Sequence, residues 1–311
     1  MVVLWVVVLL TGLLVAVMSS RWAVGHLTAF AAGTRIPPFV IGITLVSIGT
    51  DLPEIANSLV ASVTGHGDIN IGDSIGSATV QATLILGLLP FITGSFPLAR
   101  RRLGRAGIAT VGALLIGAAL MADGEVSRVD AGILIGGWAI GTVAIWRGQP
   151  DRATERVEQR EPRSGRHLPP AFAGLILVGL GATTAIQALT ELSLIWFLPE
   201  YLVAFVLASL GTSLPELVVE ISAVRRRQWD LAVGDAIGSS FVDATLSLGI
   251  GPLVAPIVVS AGIAVMGSLL AAAAVGIAVL VLAQRGIHDR VSGAALIVIF
   301  ISAYLLITGL T

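Results

Sequence analysis

The chain has 311 residues, 56% of them hydrophobic and 12% charged, with a mean hydropathy of +0.96, which leaves no soluble domain of useful size and points to a polytopic helical membrane protein. The absence of cysteine excludes disulfides, thiolate chemistry and zinc-thiolate sites. A formal net charge of -1 hides a basic complement made wholly of arginine and gathered in a few short loops, a pattern of membrane orientation rather than of nucleic-acid binding.

Apolar runs separated by charged or Gly/Pro punctuation give ten expected spans, at 2–18, 37–63, 71–96, 104–122, 129–147, 170–190, 199–223, 232–256, 260–283 and 291–309. The first run, Val2 to Met18, lacks a basic flank and an evident cleavage site, so it reads as a retained transmembrane helix and not a signal peptide. The second contains Gly49-Thr50-Asp51-Leu52-Pro53-Glu54, two carboxylates and a proline inside an otherwise apolar segment. An ionisable group at that depth costs several kcal/mol and reads by default as part of a site. Pro53 denies the helix a backbone hydrogen bond and, with Gly49, loosens the turn, so that carbonyl oxygens beside Glu54 are expected to be freed for hard cations.

The third span begins with Gly72-Asp73-Ser74-Ile75-Gly76-Ser77, and after the fifth comes the one long polar stretch, Arg147 to Leu168. It divides the chain into a first half at 1–147, a linker at 148–168 and a second half at 169–311. The second half repeats the first: Gly211-Thr212-Ser213-Leu214-Pro215-Glu216 and Gly234-Asp235-Ala236-Ile237-Gly238-Ser239 match the earlier blocks at five of six positions each, at a constant offset of 162. Five spans per half is an odd number, so the second half enters the membrane from the opposite side, as an inverted-topology repeat. Transporters of that design hold substrate near the midplane, where broken helices of the two halves meet. With ten spans, every arginine except Arg128 falls on one side, which places both termini outside and the linker in the cytoplasm of an inner (plasma) membrane protein.

Helical spacing puts Thr50 with Glu54, Thr212 with Glu216, Ser77 with Gln81 and Ser239 with Asp243 on shared faces. Brought together, they make a cage of the Glu54, Glu216 and Asp243 carboxylates, the Gln81 amide oxygen and four hydroxyls. Calcium or sodium accepts such an all-oxygen set, and no span holds the deep histidine that a transition metal would recruit. Clustered acids in low dielectric must bind cations or protons before they reorient, so one divalent ion and several monovalent ions can alternate on the same groups. Asp51 is open between the cage, an aqueous funnel and a helix cap. Asp73 and Asp235 are expected to cap the starts of spans 3 and 8, Glu220 to form a solvated pair with Arg225, and His26, His66, His167 and His288 to be surface loop residues.

The paired Gly-Thr-x-Leu-Pro-Glu and Gly-Asp-x-Ile-Gly-Ser blocks resemble the alpha repeats of the cation/calcium antiporter superfamily, most closely its prokaryotic sodium/calcium exchanger branch. The resemblance covers both repeat regions, about a third of the chain. It implies that Glu54 and Glu216 are the principal calcium ligands, that Thr50 and Thr212 add backbone carbonyls, and that Ser77, Gln81, Ser239 and Asp243 complete the calcium and sodium positions. It further implies outer sodium sites lined by the carbonyls of Ser47 and Ser209, and a sliding pair of spans 1 and 6 that changes access. Where the family usually has Ser, the chain keeps Ser213 but has Asp51. Gln81 replaces the usual Asn, Asp73 and Asp235 stand where Asn is common, and Ala78 and Ser240 stand where Asn follows the Gly-Ser pair. The extra carboxylate leaves open a changed ion stoichiometry, an admitted proton or another preferred divalent ion.

The function expected is export of calcium in exchange for sodium, with no covalent cofactor, no enzyme activity and no partners beyond the ions and the lipid; a monomer is compatible with the sequence. The alternative is a proton-coupled calcium antiporter of the same fold, although the threonine of Gly-Thr favours sodium, since the proton-coupled branch resembles Gly-Asn there. From other classes, an intramembrane aspartyl hydrolase using Asp51 and Asp243 leaves the repeated glutamate without a role, and a passive channel needs no counter-ion.

Overall fold

A computed structural model describes residues 1–31, 47–147, 168–225 and 227–309 and is nearly all helix. Among the described residues, nine helical stretches are long and apolar enough to cross a membrane. The expected second span and the linker lie partly outside the described residues, as does His167. What is described of that second span comes in two pieces, α2 (Ser47–Thr50) and α3 (Leu52–Thr64).

In chain order, α1 (Val2–Ala31) precedes these pieces, and α4 (Gly67–Thr79) follows them, running through a π-helical stretch, Val80–Ile85, into α5 (Leu86–Thr93). Then come β1 (Phe96–Pro97), α6 (Arg100–Leu120), β2 (Glu125–Val126) and α7 (Arg128–Arg147). The order recurs after the linker. Helix α8 (Leu168–Trp196) leads to α9 (Glu200–Val203), a π stretch at Ala204–Ala208, α10 (Ser209–Thr212) and α11 (Leu214–Arg225). Helix α12 (Trp229–Val242) then runs through Asp243–Ser247, again π-helical, into α13 (Leu248–Val254), followed by β3 (Ile257–Val258), α14 (Ala261–Arg285), β4 (Ile287–His288) and α15 (Arg290–Thr308).

Helix α1 runs well past the expected limit at Met18, because loss of hydropathy at Arg21 and Trp22 does not stop a backbone that meets no proline before Ala31. Its neighbour is α8, and the two meet at small residues. A Cβ on Gly181 would stand 2.7 Å from both the Ala16 nitrogen and the Gly12 oxygen, so the backbones touch without interlocking side chains. The remaining spans wrap α2–α5 and α9–α13, whose residues from 67 to 85 are almost wholly buried despite carrying Asn70, Asp73, Ser77 and Gln81. Large apolar side chains face outward instead, among them Leu10, Ile140, Ile176 and Leu305, as lipid contact demands.

The two halves are tied to each other by short antiparallel strand pairs: β1 pairs β4, with Phe96 opposite His288, and β2 pairs β3, with Glu125 opposite Val258. A second exchange serves the prolines inside α5 and α13. Pro90 has no N–H for the carbonyl of Leu86, and Pro252 none for that of Leu248. Each carbonyl is met from the other half, Leu86 by Nε2 of His288 at 2.8 Å and Leu248 by the Asn70 amide at 3.4 Å. This duty corrects the surface placement of His288, which is fully enclosed, its Nδ1 2.8 Å from the Ser292 hydroxyl; burial pushes its pKa below the ordinary histidine value. His26 also departs from expectation by lying within α1, and His66 pairs with Glu200 at 3.0 Å.

Two outcomes are expected. His288→Leu leaves the Leu86 carbonyl without its donor and lowers stability by about 1–3 kcal/mol, read as an earlier thermal transition of the detergent-solubilised chain. Gly181→Val forces α1 and α8 apart at a cost of about 1–3 kcal/mol; an unchanged melting temperature would show that the backbones are not in close contact.

Candidate functional site

The motif Gly-Thr-x-Leu-Pro-Glu breaks its helix in both halves. The chain leaves helical geometry for one residue at Asp51 (φ -76°, ψ 9°) and at Ser213 (φ -80°, ψ 9°), each followed by a helix that starts with Leu-Pro-Glu. Proline is tolerated in a first helical turn, where its missing N–H is no loss, and helical hydrogen bonds still cross each break, from Asp51 N–H to the Ser47 carbonyl and from Ser213 N–H to the Ser209 carbonyl. Each new helix carries its glutamate in the first turn, fully buried.

There the two halves meet. Asp51, Glu54 and Glu216 are fully buried, and ligand oxygens of the three all lie within 4.8 Å of one another. None of these carboxylate oxygens has a hydrogen-bond partner. Asp51 therefore lies beside Glu54 and Glu216, and its side chain does not cap α3. Asp243 stands outside that close trio but within electrostatic reach of Asp51 and Glu54, with Gln81 and Ser247 as its polar neighbours. It too is fully buried with both oxygens unpartnered, and neither polar atom of the Gln81 amide has a partner.

The hydroxyls frame this acid group in matched pairs across the halves. Thr50 Oγ1 lies 3.4 Å from Ser239 Oγ, and Thr212 Oγ1 lies 3.3 Å from Ser77 Oγ. Glycines of the Gly-Asp-x-Ile-Gly-Ser block make this approach possible: a Cβ on Gly72 would stand 2.4 Å from the Tyr201 carbonyl oxygen, and one on Gly76 2.6 Å from that of Phe205. Ser213 Oγ is buried without a partner, Ser47 donates to the carbonyl and carboxylate of Asp235, and Ser209 bonds the Phe205 carbonyl and the Tyr304 hydroxyl.

Two expectations are corrected. Asp73 and Asp235 do not cap helices, because α4 and α12 begin six residues earlier, at Gly67 and Trp229. Asp73 instead accepts from Asn57 at 2.5 Å and from Thr212 at 3.1 Å. Glu220 is not a solvated partner of Arg225: it is fully buried, while Arg225 is exposed. Five residues along a helix is a turn and a half, which points the two side chains apart, whereas four residues keep Glu220 on the face of Glu216. Asn57, missed in the sequence, shows the same signal, since it lies three residues from Glu54 on the inward face.

A buried set of unpaired carboxylates is stable only with cations or protons among them, and its donors are all oxygen, the ligand that hard cations take. Similar proteins bear on this site. The model of the sodium/calcium exchanger protein family matches residues 4–147 and 171–310. The inner membrane protein YrbG of Escherichia coli K12 is 32% identical over 263 residues, 80% of this chain and 79% of its own. A solved structure of the sodium-calcium exchanger NCX_Mj, soaked with sodium and strontium, is 27% identical and superposes with a TM-score of 0.64 over 97% of this chain and 98% of that one. The H+/Ca2+ exchanger CAX shares the fold, with a TM-score of 0.75 over 98% of this chain and 85% of that one at 18% identity. The chain belongs to the sodium/calcium exchanger protein family, within the cation/calcium antiporter superfamily.

Proposed function

We propose that this antiporter exports calcium in exchange for sodium, and that one observation carries the reading: Asp51, Glu54 and Glu216 hold buried ligand oxygens within 4.8 Å of one another on the two broken helices. Glu54 and Glu216 are the principal calcium ligands, joined by Asp51, Asp243, Gln81, Ser213 and oxygens of Thr50, Thr212, Ser77 and Ser239. Together they supply the roughly six to eight oxygens that calcium takes at about 2.3–2.6 Å. Sodium ions replace calcium on the same groups and on the carbonyls of Ser47 and Ser209. The acids repel one another strongly when bare, so the loaded states are the ones that reorient, and calcium and sodium therefore move in opposite directions.

The same reading has ten spans in two inverted halves, 1–147 and 169–311, with the linker 148–168 in the cytoplasm and both termini outside the inner (plasma) membrane. The crosswise pairing of β1 with β4 and β2 with β3 supports the inverted arrangement. Access alternates as α1 and α8 move over the remaining helices, and the contact between Gly12 and Gly181 supports these two moving as a pair.

Asp51 favours a second reading, in which protons share or replace sodium as the counter-ion. Its counterpart is Ser213, so the cage has an acid that the repeat does not require. A proton on this added carboxylate would neutralise it without a metal ion.

Everted vesicles given either a sodium gradient or a pH gradient separate the two readings. Sodium-driven calcium uptake is expected, and uptake indifferent to sodium overturns the first. Glu54→Gln should weaken calcium binding on the order of 100-fold and bring exchange to background; a fully active variant contradicts the cage. Asp51→Ser should change the ratio of sodium-driven to pH-driven uptake by roughly tenfold, and an unaltered ratio removes Asp51 from ion choice.

A further inference from the structure

Glu220 is a buried acid that the cage does not use. It lies one turn past Glu216 on α11, about 6 Å farther along the helix toward Arg225. It is fully enclosed, and neither of its carboxylate oxygens has a donor. The charges that bear on it are both acidic, Asp235 first and Glu216 second. Asp235 is itself fully buried; its Oδ1 is 3.4 Å from the Ser47 hydroxyl, and its Oδ2 has no partner. Among the described residues, no basic side chain forms an ion pair with either acid.

In the corresponding layer of the first half the carboxylate oxygens are claimed by hydrogen bonds. The repeat offset sets Ser58 against Glu220 and Asp73 against Asp235. There Asn57 and Thr212 occupy the two oxygens of Asp73, and Ser58 Oγ accepts the Gly251 N–H at 3.1 Å. In the second half Val219 stands at the position of Asn57 and has no donor to give. Glu220 with Oδ2 of Asp235 thus leaves three buried carboxylate oxygens unclaimed. Hydrophobic side chains at these positions would cost less than two buried acids on adjoining helices, so the pair needs a cation or a proton.

We propose that Glu220 and Asp235, with the hydroxyl of Ser47, form a second site for a divalent cation, one turn from the cage on the side of the arginines at 225–227. Two carboxylates match the charge of a divalent ion, and three carboxylate oxygens with a hydroxyl begin a calcium shell. The sequence offers Glu216 and Glu220 four residues apart on α11, and Asp235 and Ser239 four apart on α12 with Asp243 four further at the start of the π-helical stretch, so the two sites stack as successive layers along these helices. On the exchanger reading this side is cytoplasmic, and an ion held here is next in line for the cage. The route rests on that reading; the site rests on Glu220 and Asp235 alone.

Equilibrium binding of radioactive calcium to the purified full chain in sodium-free detergent buffer tests it. Wild type should bind about two ions per chain, and Glu220→Gln and Glu54→Gln about one each. In chelator, Glu220→Gln should melt no lower than wild type, since an amide removes a buried charge, yet it should gain less from added calcium. A single ion lost with Glu54→Gln alone overturns the site, as does a Glu220→Gln protein with unchanged stoichiometry, or a site that takes sodium and refuses calcium. Two bound ions without counter-ion-driven flux would sink the exchange reading and sustain this site.

Discussion

Mutual repulsion among acids held out of water is the constraint around which this molecule is built. Asp51, Glu54 and Glu216 crowd into one small volume with no basic side chain among them, and Asp243 stands near enough to add its charge. Soluble proteins avoid such an arrangement, because each unpaired buried charge carries a cost that packing rarely offsets. A transporter needs it, since a site comfortable without its cargo would have no reason to wait for one before moving.

The surrounding fold holds these groups in place despite the repulsion. Much of the restraint comes from one half serving the other. Prolines in α5 and α13 each strip a carbonyl of its helical donor, and the replacement donor comes across the interface, His288 in one case and Asn70 in the other. Hydroxyl pairs do the same beside the acids, Thr50 with Ser239 and Thr212 with Ser77. Neither half is hydrogen-bond complete by itself, which makes the interface the natural place for a site.

Much of this was legible in the sequence because hydropathy and repetition are both long-range signals. Carboxylates inside apolar runs, repeated at a fixed offset with the same proline beside them, leave few interpretations other than a shared polar centre. Polar residues near the ends of the runs were harder to read. Asp73 and Asp235 looked like caps because hydropathy rises only after them, whereas the helices start at Gly67 and Trp229, where polar residues already lie inside the packed centre. Glu220 looked solvated because Arg225 is close in sequence, although helical geometry turns the two apart. His288 gave no signal of its own: its burial follows from Pro90, almost two hundred residues earlier, and only the folded chain brings them together.

The strand pairs carry a consequence for synthesis. Phe96 finds its partner only when His288 has been made. At about 5–20 residues per second, the ribosome delivers that partner on the order of tens of seconds later. Throughout that interval the spans already made sit in the membrane with their acids facing no counterpart, so the nascent chain depends on the insertion machinery, on neighbouring lipid headgroups or on early-captured protons to shelter Asp51 and Glu54 until the later residues close over them.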